Sequence, residues 1–360
     1  MAGYEFKPIV EEDLPQVAAF LYEQQVITSR EDWTQARPQG DDLQWMTCNP
    51  DYRPEMPFGE TLRTRDGKIA GMILAVPRLY RLGDKTLVGL AAGDFFIDAA
   101  ARMQGFFMLR RYFKLRHGDF WFANSCNRQS GPLWAKCGAI LVPESDVEYL
   151  YPFKMGPLAE ELAIRKQWPR AVKSLLGSLG PGADIIASLR IPGNRFQVDY
   201  CSDLEKLSEL AARCRNPKLL QPERTAAHLK WQYGEPPEVP QDGQTRQIYT
   251  FNDRAGVEGW FSLGFDRRGR EDQIRTARLM DVVWPEDRLS FTAILPAVIA
   301  AARRNVDLLS IRGRVGLKLN ENARGFKRRR LLAPEGFLLS TTPPTSELVG
   351  LADFPFMERY

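Results

Sequence analysis

The feature that most constrains this chain is an internal repeat. Asp42-Leu43-Gln44-Trp45-Met46 resembles His228-Leu229-Lys230-Trp231-Gln232, with the tryptophans 186 positions apart. Asp66-Gly67-Lys68-Ile69-Ala70-Gly71 has a counterpart in Asp253-Arg254-Ala255-Gly256-Val257-Glu258-Gly259, where Gly71 and Gly259 differ by 188. Leu90 to Ile97, built around Asp94, matches Ala277 to Trp284, built around Asp281, at an offset of 187. Lys136-Cys137-Gly138-Ala139 falls over Ala323-Arg324-Gly325-Phe326, again at 187, and Asp13-Leu14 and Asp203-Leu204 open similar helical stretches 190 apart. Matches in one order at nearly constant spacing are the mark of duplication. The expected layout is a first unit over 1–155, a helical linker over 156–194, a second unit over 195–342 and a tail over 343–360.

Both copies carry the same pattern. A short strand (Tyr4 to Ile9; Arg195 to Tyr200) precedes a helix with apolar residues at helical spacing: Leu14, Val17, Ala18 and Leu21 in one, Leu204, Leu207, Leu210 and Ala211 in the other. In the first copy Asp66-Gly67 and Gly83-Asp84 mark hairpin turns between apolar runs, the second leading into a strand over Thr86 to Ile97. The pattern then turns to helix (Met103 to Leu115), strand (Asp119 to Asn124), helix (Gly131 to Cys137) and strand (Ala139 to Val142). A meander followed by alternating helices and strands predicts an α/β fold: a mixed sheet with helices on both faces. Between the copies, Pro157 to Leu179 reads as a basic amphipathic helix bent at Pro169 and ended by Gly180 to Gly182. It is either a packed connector or a peripheral contact with an anionic membrane surface.

Composition excludes several classes. With 49 Lys+Arg against 45 Asp+Glu, the net charge is +4, too small for a nucleic-acid coat. Five scattered cysteines without a C-x-x-C pair read as reduced thiols, and two histidines, His117 and His228, leave little material for a metal site. The acidic N-terminus has no apolar core for a signal peptide, and the apolar run near Thr292 to Ala302 is too short for a ~30 Å bilayer. The expected location is the cytoplasm.

Two motifs carry a family resemblance. Ile97-Asp98 ends a strand and Arg102-Met103-Gln104-Gly105-Phe106-Phe107 opens a helix; later come Asn127-Arg128-Gln129-Ser130 and Leu133-Trp134-Ala135-Lys136-Cys137-Gly138-Ala139. In this order the chain resembles the GNAT (GCN5-related N-acetyltransferase) superfamily, over 1 to about 155 by motif and about 195 to 342 by topology. The resemblance implies that the pyrophosphate of acetyl-CoA or another acyl-CoA sits on Arg102, Met103, Gln104, Gly105, Phe106 and Phe107. Backbone N–H groups near Ile97 and Ala99 would hold the acyl carbonyl, and Asn127 with Ser130 the cofactor arm. The physics is favourable: a helix start offers unpaired N–H groups to an anion, and glycine permits close approach.

In this family an amine attacks the thioester directly, so positioning matters most. The general-acid tyrosine falls on Trp134, whose indole cannot deliver a proton. Trp134 is therefore a third catalytic candidate by position or else a core packing residue: either CoA leaves without that help, Tyr112 or Cys126 assists, or the copy binds without turnover. Asp98 and Glu60 are the candidate bases, whereas Asp94, which recurs as Asp281, reads as structural. No metal ligand set is seen.

The second copy has no glycine where the first has Gly105, and Pro285-Glu286-Asp287 suits a helix start that already carries negative charge. The expectation is that this copy completes the acceptor cleft and binds no CoA. The run Arg324, Lys327, Arg328, Arg329 and Arg330 is either a solvated strand edge or an anion or RNA contact. Three functions follow: an N-acyltransferase acting on a small polar amine such as an amino sugar, suggested by Trp45 to Pro50; an aminoacyl-tRNA-dependent transferase; or a non-catalytic CoA-ester-binding or assembly protein.

Overall fold

The computed structural model describes residues 3–31, 43–166, 193–239, 245–269, 274–304, 306–312, 319, 325–331, 336–341 and 344–351. In the first half, β1 (Tyr4–Pro8), β2 (Gly59–Thr64), β3 (Ile69–Leu82) and β4 (Lys85–Ile97) pair antiparallel in order, with α1 (Leu14–Glu31) between β1 and β2. Leu14, Val17, Ala18 and Leu21 of α1 are buried as their spacing predicts. A 3-10 turn (Ala99–Gln104) leads into α2 (Gly105–Tyr112), followed by β5 (Phe120–Ala123), α3 (Ser130–Lys136), β6 (Ile140–Leu141), β7 (Val147–Pro152) and α4 (Gly156–Arg165). The remainder of the predicted linker helix, with Pro169 and the Gly-Pro-Gly stop, lies outside the described residues.

The second half repeats the plan: β8 (Gln197–Tyr200), α5 (Leu204–Arg213), β9 (Gln221–Pro222), α6 (Ala226–Tyr233), β10 (Arg246–Asn252), β11 (Glu258–Arg268), β12 (Ile274–Val283), α7 (Phe291–Ala302), β13 (Leu308–Arg312), β14 (Lys327–Arg330), β15 (Phe337–Ser340) and α8 (Thr345–Leu351). Gly138 and Gly325, matched by the repeat, take nearly the same left-handed backbone, φ 92 and 89.

The halves exchange their last strands. One sheet runs β1-β2-β3-β4-β5-β15-β6, the other β14-β7-β13-β12-β11-β10-β8. β7 thus leaves the first half to lie antiparallel between β13 and β14, while β15 returns to lie between β5 and β6. Each brings its apolar face along: Val147, Tyr149 and Tyr151 join the core under α7, and Leu338 joins the core under α1. The sheets therefore do not follow the contiguous spans 1–155 and 195–342. The stretch expected to be a tail contains α8, whose Leu348 is buried in the first core.

The basic run is an edge strand. In β14 all four residues are exposed, and Arg328, Arg329 and Arg330 pair with Glu144, Glu148 and Asp146 on and beside β7. Like charges on an edge discourage further pairing; Arg324 lies outside the described residues. Among the described residues no helix is long and apolar enough to cross a membrane.

Candidate functional site

β4 and β5 are parallel neighbours but pair only over Gly89–Phe120, Leu90–Trp121 and Ala91–Phe122. Past Ala91, β4 continues to Ile97 whereas β5 stops at Ala123, so the strands part. A bulge accompanies the parting: the β3–β4 register slips between Met72–Phe96 and Leu74–Gly93, and Asp94 takes φ 39. A bulge bends its strand and interrupts the ladder. The freed edge of β4 can hydrogen-bond an extended, amide-bearing molecule laid between the strands. Because β4 is not regular, alternation along it does not place Asp94 and Asp98 on one face.

Topology gathers the predicted binding residues. Ile97 ends β4 and Ala99 follows it, and Asn127 and Ser130 follow β5, so all four stand at the carboxyl ends of adjacent parallel strands, the usual place for ligands in α/β sheets. Asn127 Oδ1 accepts from the amides of Gln129 and Ser130 (both 2.9 Å), while Ser130 Oγ accepts from the Asn127 amide (3.0 Å). This reciprocal cap starts α3 and leaves Asn127 Nδ2 as the side chain's donor. One residue was missed. Asn124, the first polar residue after β5, has a buried Nδ2 without a hydrogen-bond partner among the described residues.

The phosphate loop differs from the expectation. The amides of Met103 to Phe106 are not vacant, because the 3-10 turn at Ala99–Gln104 runs directly into α2 and the Gly105 amide bonds to the Arg102 carbonyl. The helical stretch starts at Ala99 instead. The amide of Ala101 bonds to the Asp98 carbonyl (2.9 Å), so those of Ala99 and Ala100 are the ones a helix start leaves over. Both alanines are exposed. Gly105 has an ordinary helical φ of −57, and its role is packing: a Cβ there would lie 3.3 Å from Ile97 Cδ1. Arg102, Met103 and Phe107 are exposed, Phe106 lies under the Arg110 guanidinium at 5.8 Å, and Gln104 is half-buried.

Two of three catalytic candidates are otherwise engaged. Both Glu60 oxygens are held by Arg111, with Nη2–Oε1 at 2.7 Å and Nε–Oε2 at 3.0 Å, tying α2 to β2. The bond to Glu60 raises the Arg111 pKa further, so Glu60 is an ion-pair anchor and not a free base. Trp134 is 1% exposed and packs edge-on against Phe113 at 4.9 Å; it is core, shielded from any leaving thiolate. The alternative acids are engaged too: Tyr112 donates to the Leu90 carbonyl (2.7 Å), and Cys126 is buried. Asp98 remains. Its carboxylate, half-buried at the start of the 3-10 turn, accepts from Gln24 Nε2 of α1 at 3.0 Å.

The second copy reproduces the parting. β12 and β13 pair only over Thr276–Leu308, Ala277–Leu309 and Arg278–Ser310, and the β11–β12 register slips at Ser262/Leu263. Asp281 is structural, forming a buried two-bond pair with Arg224 (2.8 and 2.9 Å). Pro285-Glu286-Asp287 forms a turn upstream, whereas α7 starts after Ser290 with no acidic residue in its first turn. The expected carboxylate plug at the helix start is therefore absent.

No protein-family model matches the sequence, nor does any curated protein. Solved structures do match. A GCN5-related N-acetyltransferase from Anabaena variabilis aligns with TM-score 0.53 at 13% identity, covering 94% of this chain and 73% of its own. Saccharomyces cerevisiae N-myristoyltransferase with bound myristoyl-CoA aligns with TM-score 0.57 at 14% identity, covering 94% and 78%. A probable N-acyltransferase from Enterococcus faecalis gives TM-score 0.54 at 12%, covering 97% and 74%. At these identities the likeness is one of fold, and the fold is that of the GCN5-related N-acetyltransferases and the N-myristoyltransferases, built here from two like units.

Proposed function

We propose that the chain is an acyl-CoA-dependent N-acyltransferase whose donor site is the parting of β4 and β5 in the first half. The carrying observation is the bulged edge of β4 beside the buried, unpartnered Asn124 amide, which together offer hydrogen bonds to an extended amide-rich arm. The diphosphate then rests on the Ala99 and Ala100 amides, one turn upstream of the position the motif suggests, with Arg102 beside it. Acetyl-CoA or a longer acyl-CoA is the donor. The acceptor amine attacks the thioester carbonyl carbon, a C–N bond forms, and the C–S bond breaks; Asp98 takes the amine proton.

The acceptor class is a small polar amine. Trp45 to Pro50 no longer favours an amino sugar, because Trp45 and Asn49 there bond to Trp231 and Pro77. A tRNA donor is disfavoured by β14, whose arginines are paired with carboxylates. A second reading, CoA-ester binding without turnover, draws on the engagement of Glu60 and Trp134. Thiol release from acetyl-CoA and myristoyl-CoA across an amine panel separates the two. Turnover that falls at least tenfold in Asp98→Asn supports the enzyme, and binding without thiol release supports the second reading.

A further inference from the structure

Asp51, before β2, and His228, on α6, are both buried where the halves meet. His228 Nε2 stands 2.8 Å from Asp51 Oδ1, and His228 Nδ1 stands 2.6 Å from Thr225 Oγ1. The hydrogen-bond directions are mutually consistent. Nε2–H donates to the carboxylate, Nδ1 accepts from the hydroxyl, and Thr225 Oγ1 accepts in turn from the His228 backbone N–H at 3.4 Å. Asp51 is itself fixed, its Oδ2 accepting from the Leu79 amide at 2.7 Å and its own amide bonding to Asn49 Oδ1 at 3.0 Å.

Thr225, unlike its two partners, is exposed, and it lines a small cavity of about 80 Å³ with Cys214, Arg215, Arg224 and Trp284. A hydroxyl on a cavity-lining residue, a base within hydrogen-bond reach and a buried group orienting that base are the diagnostic of an activated nucleophile. Thr225 also caps α6. The next two amides, of Ala226 and Ala227, belong to the first turn, which leaves its N–H groups without partners inside the helix. They are the donors available to an oxyanion formed at Thr225. Capping alone requires neither the histidine ring nor the aspartate behind it.

We propose that Thr225, His228 and Asp51 form a nucleophilic site for activated acyl groups, small carboxylic esters or thioesters, separate from the β4–β5 site. Thr225 Oγ bonds to the acyl carbon as the bond to the leaving oxygen or sulfur breaks. The hydroxyl proton passes to His228 Nδ1 and from there to the leaving group, while Asp51 stays ionised beside the imidazolium. Water then attacks the Thr225 ester, its proton returning through His228 to Oγ, and a carboxylic acid is released.

The test uses the full chain and 4-nitrophenyl acetate, followed by peptide mass spectrometry and 4-nitrophenolate release. The expected result is one acetyl group on Thr225. Thr225→Asn preserves the helix cap but removes the nucleophile, and should cut release at least tenfold; Thr225→Ser should keep it. His228→Gln, confirmed folded by circular dichroism, should lose the adduct as well. Acetylation confined to lysines, or release from Thr225→Asn at the wild-type rate, overturns the proposal.

Discussion

The indole N–H of Trp231 donates to the backbone carbonyl of Trp45 at 2.8 Å, and the two residues are one repeat apart, 186 positions. Their rings lie 5.8 Å apart, and Arg78 of β3 reaches over Trp231 at 5.6 Å. Equivalent residues touch each other only near a local two-fold relationship, so the duplicated segments are also what joins the halves. Trp231→Phe keeps an aromatic ring but loses the indole N–H and with it the hydrogen bond to the Trp45 carbonyl. It should destabilise the chain by about 1–3 kcal/mol. A urea midpoint unchanged from wild type would count against this.

Strand exchange makes each sheet depend on both halves. A chain ended after residue 331 lacks β15, so β5 and β6 lose the strand between them and Leu338 leaves the core. It should show no cooperative unfolding transition. Two co-expressed pieces, one ending at 166 and one starting at 193, should instead purify as a stable complex. A folded, monomeric first piece alone would contradict the exchange.

Glu148 sets an acid limit on stability. Burial alone would raise its pKa, but Arg268, Arg312 and Arg329, with the Ser310 hydroxyl, overcome this and hold the carboxyl far below its ordinary range. A folded-state pKa below the unfolded value of roughly 4.3 means the stabilisation is complete above that value and lost as pH falls beneath it. Melting temperature should fall as the pH drops below about 4.3. Glu148→Gln should flatten that limb and cost about 3–5 kcal/mol at neutral pH; an unaltered pH profile in the variant would refute the assignment.

The meander and the duplication were legible because Asp-Gly turns, alternation and helical spacing are local signals. The exchange was not. Val147–Pro152 and Phe337–Ser340 fill equivalent slots, each between two strands of the other half, so nothing local tells which sheet each joins. The misplaced helix start had a readable cause, since Ala99-Ala100-Ala101 is strongly helix-forming and extends the helical stretch upstream of Arg102. Glu60 and Arg111 meet across 51 positions, and no spacing rule foretells such a pair. The Asp51–His228 contact spans 177 and was equally silent.

The donor site is tested most directly by where acyl-CoA binds. Calorimetric titration with acetyl-CoA and myristoyl-CoA should give one site per chain. Ala100→Glu, an exposed substitution that sets a carboxylate beside the leftover amides, should weaken binding at least tenfold while the melting temperature holds. Full affinity in that variant, or no binding of either thioester to the native chain, would contradict the account.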